Sequence, residues 1–130
     1  FILVTTPDRG AVQDVDRVLG ILEEEGHDGM GLIINRLRPD LIRRGESLTP
    51  EQVLETLAID LLGVVPEADQ ILISNNTGQP VAHAGRSLAG RAYHNIARRV
   101  LGEEVAFIRL LQGGGGLIDR LGLRRLFPWI

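Results

Sequence analysis

The sequence has 130 residues, enough for one domain with its own core, and its 44% hydrophobic and 24% charged fractions are ordinary for a globular protein. It contains no cysteine, and all fourteen basic residues are arginine. These residues therefore hold no disulfide, no thiolate site, no lysine-based catalysis and no Walker-type phosphate loop. The net charge of −3 is uneven: residues 117–130 carry +2 and the remainder −5, which argues against broad nucleic-acid binding.

The first element is Phe1-Ile2-Leu3-Val4, a continuous apolar run of the kind found in parallel-sheet strands buried on both faces. Such a central strand would need a neighbour from a missing upstream half; the other reading is an edge strand at a natural N-terminus. Pro7-Asp8 ends it. Ala11, Val12, Val15, Val18, Leu19 and Leu22 then recur at helical spacing up to Gly26, with Asp14, Asp16, Arg17 and Glu23-Glu24-Glu25 on the solvated face. A second buried strand runs from Met30 to Asn35, and Arg38-Pro39-Asp40 opens a polar loop. Thr49-Pro50-Glu51-Gln52 is a helix start with Thr at the N-cap, Pro at N1 and Gln at N3, leading into Val53, Leu54 and Leu57.

Leu61 to Val65 is the third strand, followed by Pro66-Glu67, a short helix from Asp69 to Ser74 and a loop from Asn75 to Pro80. Ser87 caps a longer helix with Ala92, Ile96, Ala97, Val100 and Leu101 on its apolar face, ending at Gly102. Strands alternating with helices predict an α/β fold with a parallel, doubly wound sheet. Residues 1–102 are expected to form the domain and 103–116 a connector with the glycine hinge Gly113 to Gly116. Residues 117–130 form a tail.

Ligands of doubly wound sheets sit at the C-terminal ends of the strands. Here those ends are Thr5-Thr6-Pro7, Asn35-Arg36 and Val65-Pro66-Glu67. The amide of Asn35 has the shape to read a base edge, and Pro66 offers an apolar face beside one. Each is equally a turn residue ending a strand, and both readings stand. His27, His83 and His94 lack ligand-like spacing, so no metal site is expected, and no triad or nucleophile-elbow pattern marks a catalytic residue in this chain.

In the tail, Leu117, Ile118 and Leu121 fall within one ~100° sector of a helix, with Arg120, Arg124 and Arg125 outside it or at its margins. Leu126, Phe127 and Trp129 extend the apolar surface, and the aromatics are types that favour a membrane interface. Each arginine adds about 1 kcal/mol beside an anionic leaflet. One tail binds weakly, and two on a dimer bind far better because the second insertion is intramolecular. The competing reading docks the tail on its own domain. No apolar run reaches the ~20 residues that span a bilayer, and the N-terminus lacks the basic region of a signal peptide.

Seven stretches together resemble the MinD/ParA family of deviant-Walker P-loop ATPases, and within it the septum-site-determining MinD branch. They are Val4 to Asp8, Gln13 to Val18, Leu32 to Arg36, Asp40 to Glu46, Gly63 to Glu67, Ser74 to Pro80 and Ala92 to Glu103. In order, they match the family's C-terminal half. The resemblance implies the C-terminal part of a P-loop NTPase fold lacking its N-terminal half, with the Walker A loop, the Mg2+ ligands and both switch regions upstream. It further implies that Asn35 contacts adenine, that Pro66 and Glu67 line the base pocket with Arg36 also among the cofactor-binding residues, and that the helix around Asp14, Asp16 and Arg17 engages the division inhibitor MinC and the regulator MinE.

The family's cycle is ATP binding, homodimerisation, attachment to the cytoplasmic face of the inner membrane, then hydrolysis and release. These residues alone are expected neither to bind ATP tightly nor to hydrolyse it. Ala68 stands where an acidic residue usually follows Pro-Glu, and Asp119 and Gly122 depart from the usual basic and apolar residues of the tail. Two alternatives are a non-enzymatic membrane adaptor and a partitioning or flagellar-number ATPase.

Overall fold

Local hydrogen-bonding chemistry starts three of the helices. The computed structural model describes residues 1–83 and 87–110, and within them Asp8 accepts from the Ala11 N–H to open α1 (Arg9–Glu24). Thr49 and Gln52 form the reciprocal capping box of α3 (Pro50–Leu57), with Pro50 at the first helical position. Ser87 accepts from the Gly90 N–H, at 2.9 Å, to open α5 (Leu88–Val100). The remaining elements are β1 (Ile2–Thr5), β2 (Gly31–Leu37), α2 (Pro39–Arg43), β3 (Asp60–Pro66), α4 (Asp69–Thr77) and a 3-10 turn at Val81–His83.

The three strands form one parallel sheet in the order β1-β2-β3, as the alternation of strands and helices predicts. Successive residues of β2 point to opposite faces, and each face is covered. Leu32 and Ile34 join Val12 of α1, and Val53 and Leu57 of α3, in one core cluster. Ile33 lies with Val65, Ala92 and Ile96 in a second cluster beneath α5. Gly63 on β3 lets α5 come this close, since a Cβ there would overlap the Ile96 side chain. Gly31 similarly leaves room for Leu62, whose Cδ1 would stand 2.5 Å from an added Cβ.

Several expectations are corrected. Among the described residues β1 is covered on one face only, where Leu3 packs against the first cluster and α1 lies over the strand; on the other face, which α5 covers at β3, Ile2 and Val4 are 48% and 54% exposed. Arg38-Pro39-Asp40 opens the helix α2 rather than a loop: Pro39 presets the first turn, and Ile42 packs onto the core. β2 continues through Asn35 and Arg36 to Leu37, which is buried and pairs with Pro66. α4 extends to Thr77, so Asn75 and Asn76 are helical. Val18, Val100 and Leu101, assigned to apolar faces, are 45%, 51% and 79% exposed, although neighbours on the same helix such as Leu19 and Ile96 are buried.

Candidate functional site

The pleat of β2 is interrupted between Ile34 and Leu37, where its register with β3 shifts. Arg36 there has φ 58°, a left-handed conformation that costs a non-glycine residue of order 1 kcal/mol and concentrates at functional sites. The irregularity brings Asn35 and Arg36 to the rim of an open cleft of about 470 Å³. The cleft lies beyond the C-terminal ends of β2 and β3 and is also lined by Glu67, Ala68, Asp69, Ile71, Leu72, Asn75 and Tyr93.

Charge organises one wall. Arg36 donates from both Nε (3.2 Å) and Nη2 (2.8 Å) to Oε1 of Glu67. The second carboxylate oxygen of Glu67 lies 3.7 Å from Arg38 Nε. Arg38 in turn grips Asp40 through Nη2 at 2.7 Å, and Arg44 bridges Asp40 and Glu46. The hydrogen bond from Arg38 holds the Asp40 carboxyl below its usual range, and the same contact raises the Arg38 guanidinium. These pairs are solvated, so they orient the rim more than they stabilise the fold. The Glu67 N–H donates to the Leu37 carbonyl at 2.9 Å, which ties the turn after β3 to the end of β2.

Asn35 uses its side-chain oxygen to accept the Arg36 N–H at 3.0 Å, leaving the amide's two donors for another partner. Ile71 and Leu72 supply apolar surface, and Tyr93 an aromatic ring and a hydroxyl. The arrangement suits a planar ligand with ring acceptors and an exocyclic donor.

Of the residues assigned to base contact, the structure brings together Asn35, Arg36 and Glu67. Pro66 is buried at the end of β3 and is not among the lining residues. The strand end Thr5-Thr6-Pro7 is not at this cleft either; Thr6 hydrogen-bonds the capping Asp8, and Pro7 accepts from Ser47 at 2.9 Å. Asp14, Asp16 and Arg17 are exposed on the outer face of α1, with Arg17 paired to Asp14 at 3.0 Å. Leu117, Ile118, Leu121, Leu126, Phe127 and Trp129, expected from the sequence to meet a membrane, lie outside the described residues. Among the described residues no helix is long and apolar enough to cross a membrane. Sequence reasoning missed Tyr93 and Asn75. The chain's single tyrosine, one residue after the apolar Ala92, was the available signal for the first; the loop assigned to Asn75 concealed the second.

No family model matches the chain. It is 39% identical, over 126 residues, to the septum site-determining protein MinD of Synechocystis, a match that covers 96% of this chain and 47% of that protein. The structure superposes on that of a MinC:MinD cell division protein complex from Aquifex aeolicus with a TM-score of 0.80 and 29% identity, covering 83% of this chain and 45% of that one. It also matches the septum site-determining protein MinD of Pyrococcus horikoshii complexed with Mg-ADP, with a TM-score of 0.66 and 27% identity over 76% of this chain and 40% of that one. The chain thus spans under half the length of these relatives. An α/β domain with a three-stranded parallel sheet, matched over nearly its whole length by these proteins in sequence and over most of it in structure, belongs to the MinD family.

Proposed function

We propose that this chain supplies the base-recognition, partner-contact and membrane-contact parts of a MinD-type ATPase that places the division septum. One observation carries the reading: a cleft at the ends of β2 and β3 gathers Asn35, Arg36, Glu67 and Tyr93 around a space of about 470 Å³. That the Pyrococcus relative is complexed with Mg-ADP supports a nucleotide as occupant.

The residues present fit the adenine base. Asn35 offers amide donors to a ring nitrogen, Asn75 or Asp69 an acceptor to the exocyclic amine, and Ile71, Leu72 and Tyr93 the flat walls. The Arg36–Glu67 pair fixes the rim and keeps the carboxylate neutralised beside the ligand. The triphosphate and its Mg2+ call for the lysine-bearing loop, and this sequence has no lysine. When bound, ATP would supply the γ-phosphoryl group that drives homodimerisation and whose hydrolysis reverses it.

The exposed Asp14, Asp16 and Arg17 of α1 form the surface for MinC- and MinE-like partners, a reading supported by the MinC:MinD relative. The tail from Leu117 to Trp129 contacts anionic lipid at the cytoplasmic face of the inner membrane. Nucleic acid is not a partner of the acidic body.

The test is equilibrium binding of ATP and GTP to the full-length protein carrying Asn35→Ala. Loss of a base-reading hydrogen bond of roughly 1.4–2.8 kcal/mol predicts a 10- to 100-fold weaker ATP complex and little change for GTP. Unchanged discrimination between the two would refute base reading by Asn35. Catalytic turnover by the 130 residues alone would refute the assignment of the phosphate machinery elsewhere.

A further inference from the structure

Arg99 is half-buried on α5, and no carboxylate pairs with it among the described residues. Burial, and then the neighbouring charge of Arg98, push its guanidinium below the usual value. Its donors go to two carbonyls instead. Nη1 donates to Leu62 O of β3 at 2.8 Å, while Nε and Nη2 both donate to Val105 O, at 3.1 and 2.7 Å. The guanidinium carbon also lies 3.8 Å from the centroid of the Phe107 ring. One side chain thereby joins the sheet, α5 and the segment after α5.

That segment, 103–110, forms neither helix nor strand, yet it is held on both sides of the sheet. Ile108 packs into the cluster beneath α5, and Leu110 into the cluster beneath α1 and α3. It therefore passes β3, whose only strand neighbour among the described residues is β2. An uncovered edge of this kind exposes ladder groups to unwanted pairing. Gly63 makes the arrangement reachable, because it lets α5 approach β3 closely enough for Arg99 to meet the Leu62 carbonyl.

We propose that Arg99 is a positioning residue that latches residues 103–110 as a strap across the outer edge of β3, so that the chain beyond Leu110 departs from a fixed point on the body. A planar fork with separate donors spans two carbonyls and a ring face at once; an ammonium group does not. Unlatching 103–110 would add up to about 26 Å of slack, at ~3.3 Å per residue, between the domain and whatever follows. The consequence for membrane attachment rests on the function proposed above, but the latch does not, and the experiment reads the latch alone.

These 130 residues contain no cysteine, so nitroxide labels can be placed at the exposed positions Glu55→Cys on α3 and Arg109→Cys on the strap. Pulsed electron–electron double resonance on the full-length protein, with any cysteine outside these residues replaced by serine, is expected to give one narrow distance distribution. Arg99→Lys should broaden it and lengthen its mean, while the far-UV circular dichroism and the Asn35-dependent nucleotide affinity stay unchanged. Should Arg99→Lys fail to fold, Phe107→Ala removes the ring contact and leaves both carbonyl bonds, and a partial broadening is expected. A distribution that stays narrow in the folded variant would overturn the proposal, whether or not the tail binds membrane.

Discussion

Gly63→Ala tests how closely α5 must sit on β3, the approach on which the cleft and the latch both depend. The added methyl would overlap Ile96 Cγ1 and stand 2.8 Å from its Cδ1. Ile96 is 6% exposed and sits against Val65 and Ala92, so it has little room to turn aside. Overpacking of this kind costs about 1–3 kcal/mol, which lowers the melting temperature by roughly 4–8 °C per kcal/mol in a domain of this size.

Ile96→Ala alone should cost about 2–5 kcal/mol, through lost burial and the cavity left behind. In the double variant the methyl introduced by Gly63→Ala fills part of the space that the Ile96 side chain vacates. Its cost should therefore fall below the sum of the single costs by about 1–2 kcal/mol, within the range seen for residues in contact. Urea unfolding followed by far-UV circular dichroism measures all three, and equal slopes would confirm that the end states are comparable. Additivity within about 0.3 kcal/mol, or a Gly63→Ala protein as stable as the parent, would refute the contact as described.

Two further outcomes are expected. Asp8 is held below its usual pKa, first by the Ala11 N–H and then by the Thr6 hydroxyl, so its contribution is present above the unfolded carboxylate pKa of about 4 and is lost as pH falls through the lower folded value. Asp8→Asn should keep the α1 cap at neutral pH while removing that acid-side dependence, and Asp8→Ala should cost about 1 kcal/mol at neutral pH; urea titrations between about pH 2 and 7 would show both, and equal acid sensitivity of Asn and Asp proteins would contradict the cap. In the tail, Leu121→Glu replaces an apolar side chain on the proposed membrane face by a carboxylate. It should reduce binding of the ATP-loaded protein to anionic vesicles by roughly 10-fold or more in a flotation assay, and binding that survives the change would exclude the tail as the anchor.

The parts of this protein legible in the sequence are those decided within a few residues. The alternation of apolar runs with helical spacing announces three parallel strands, and Thr49, Gln52 and Ser87 mark helix starts because a cap bonds only to the next turn. The rule that ligands gather at carboxyl strand ends nominated all three ends, with Asn35 and Pro66 the residues singled out, and only the family resemblance added Arg36 and Glu67. The five-residue α2 escaped because it is shorter than two helical turns and carries no side-chain cap, so neither periodicity nor a cap motif reports it.

Only the tertiary structure decided which apolar residues are covered. Val18 and Leu19 adjoin in sequence, yet Leu19 is 5% exposed and Val18 45%, because burial depends on what lies opposite each turn of α1. The same holds for the site. Arg36 and Glu67 meet across thirty-one positions of sequence, and Tyr93 reaches the cleft because α5 packs down on Gly63. Local propensity acts over a turn of chain, whereas a cleft is made by elements that meet through packing, and packing is set by the shape of every side chain between them.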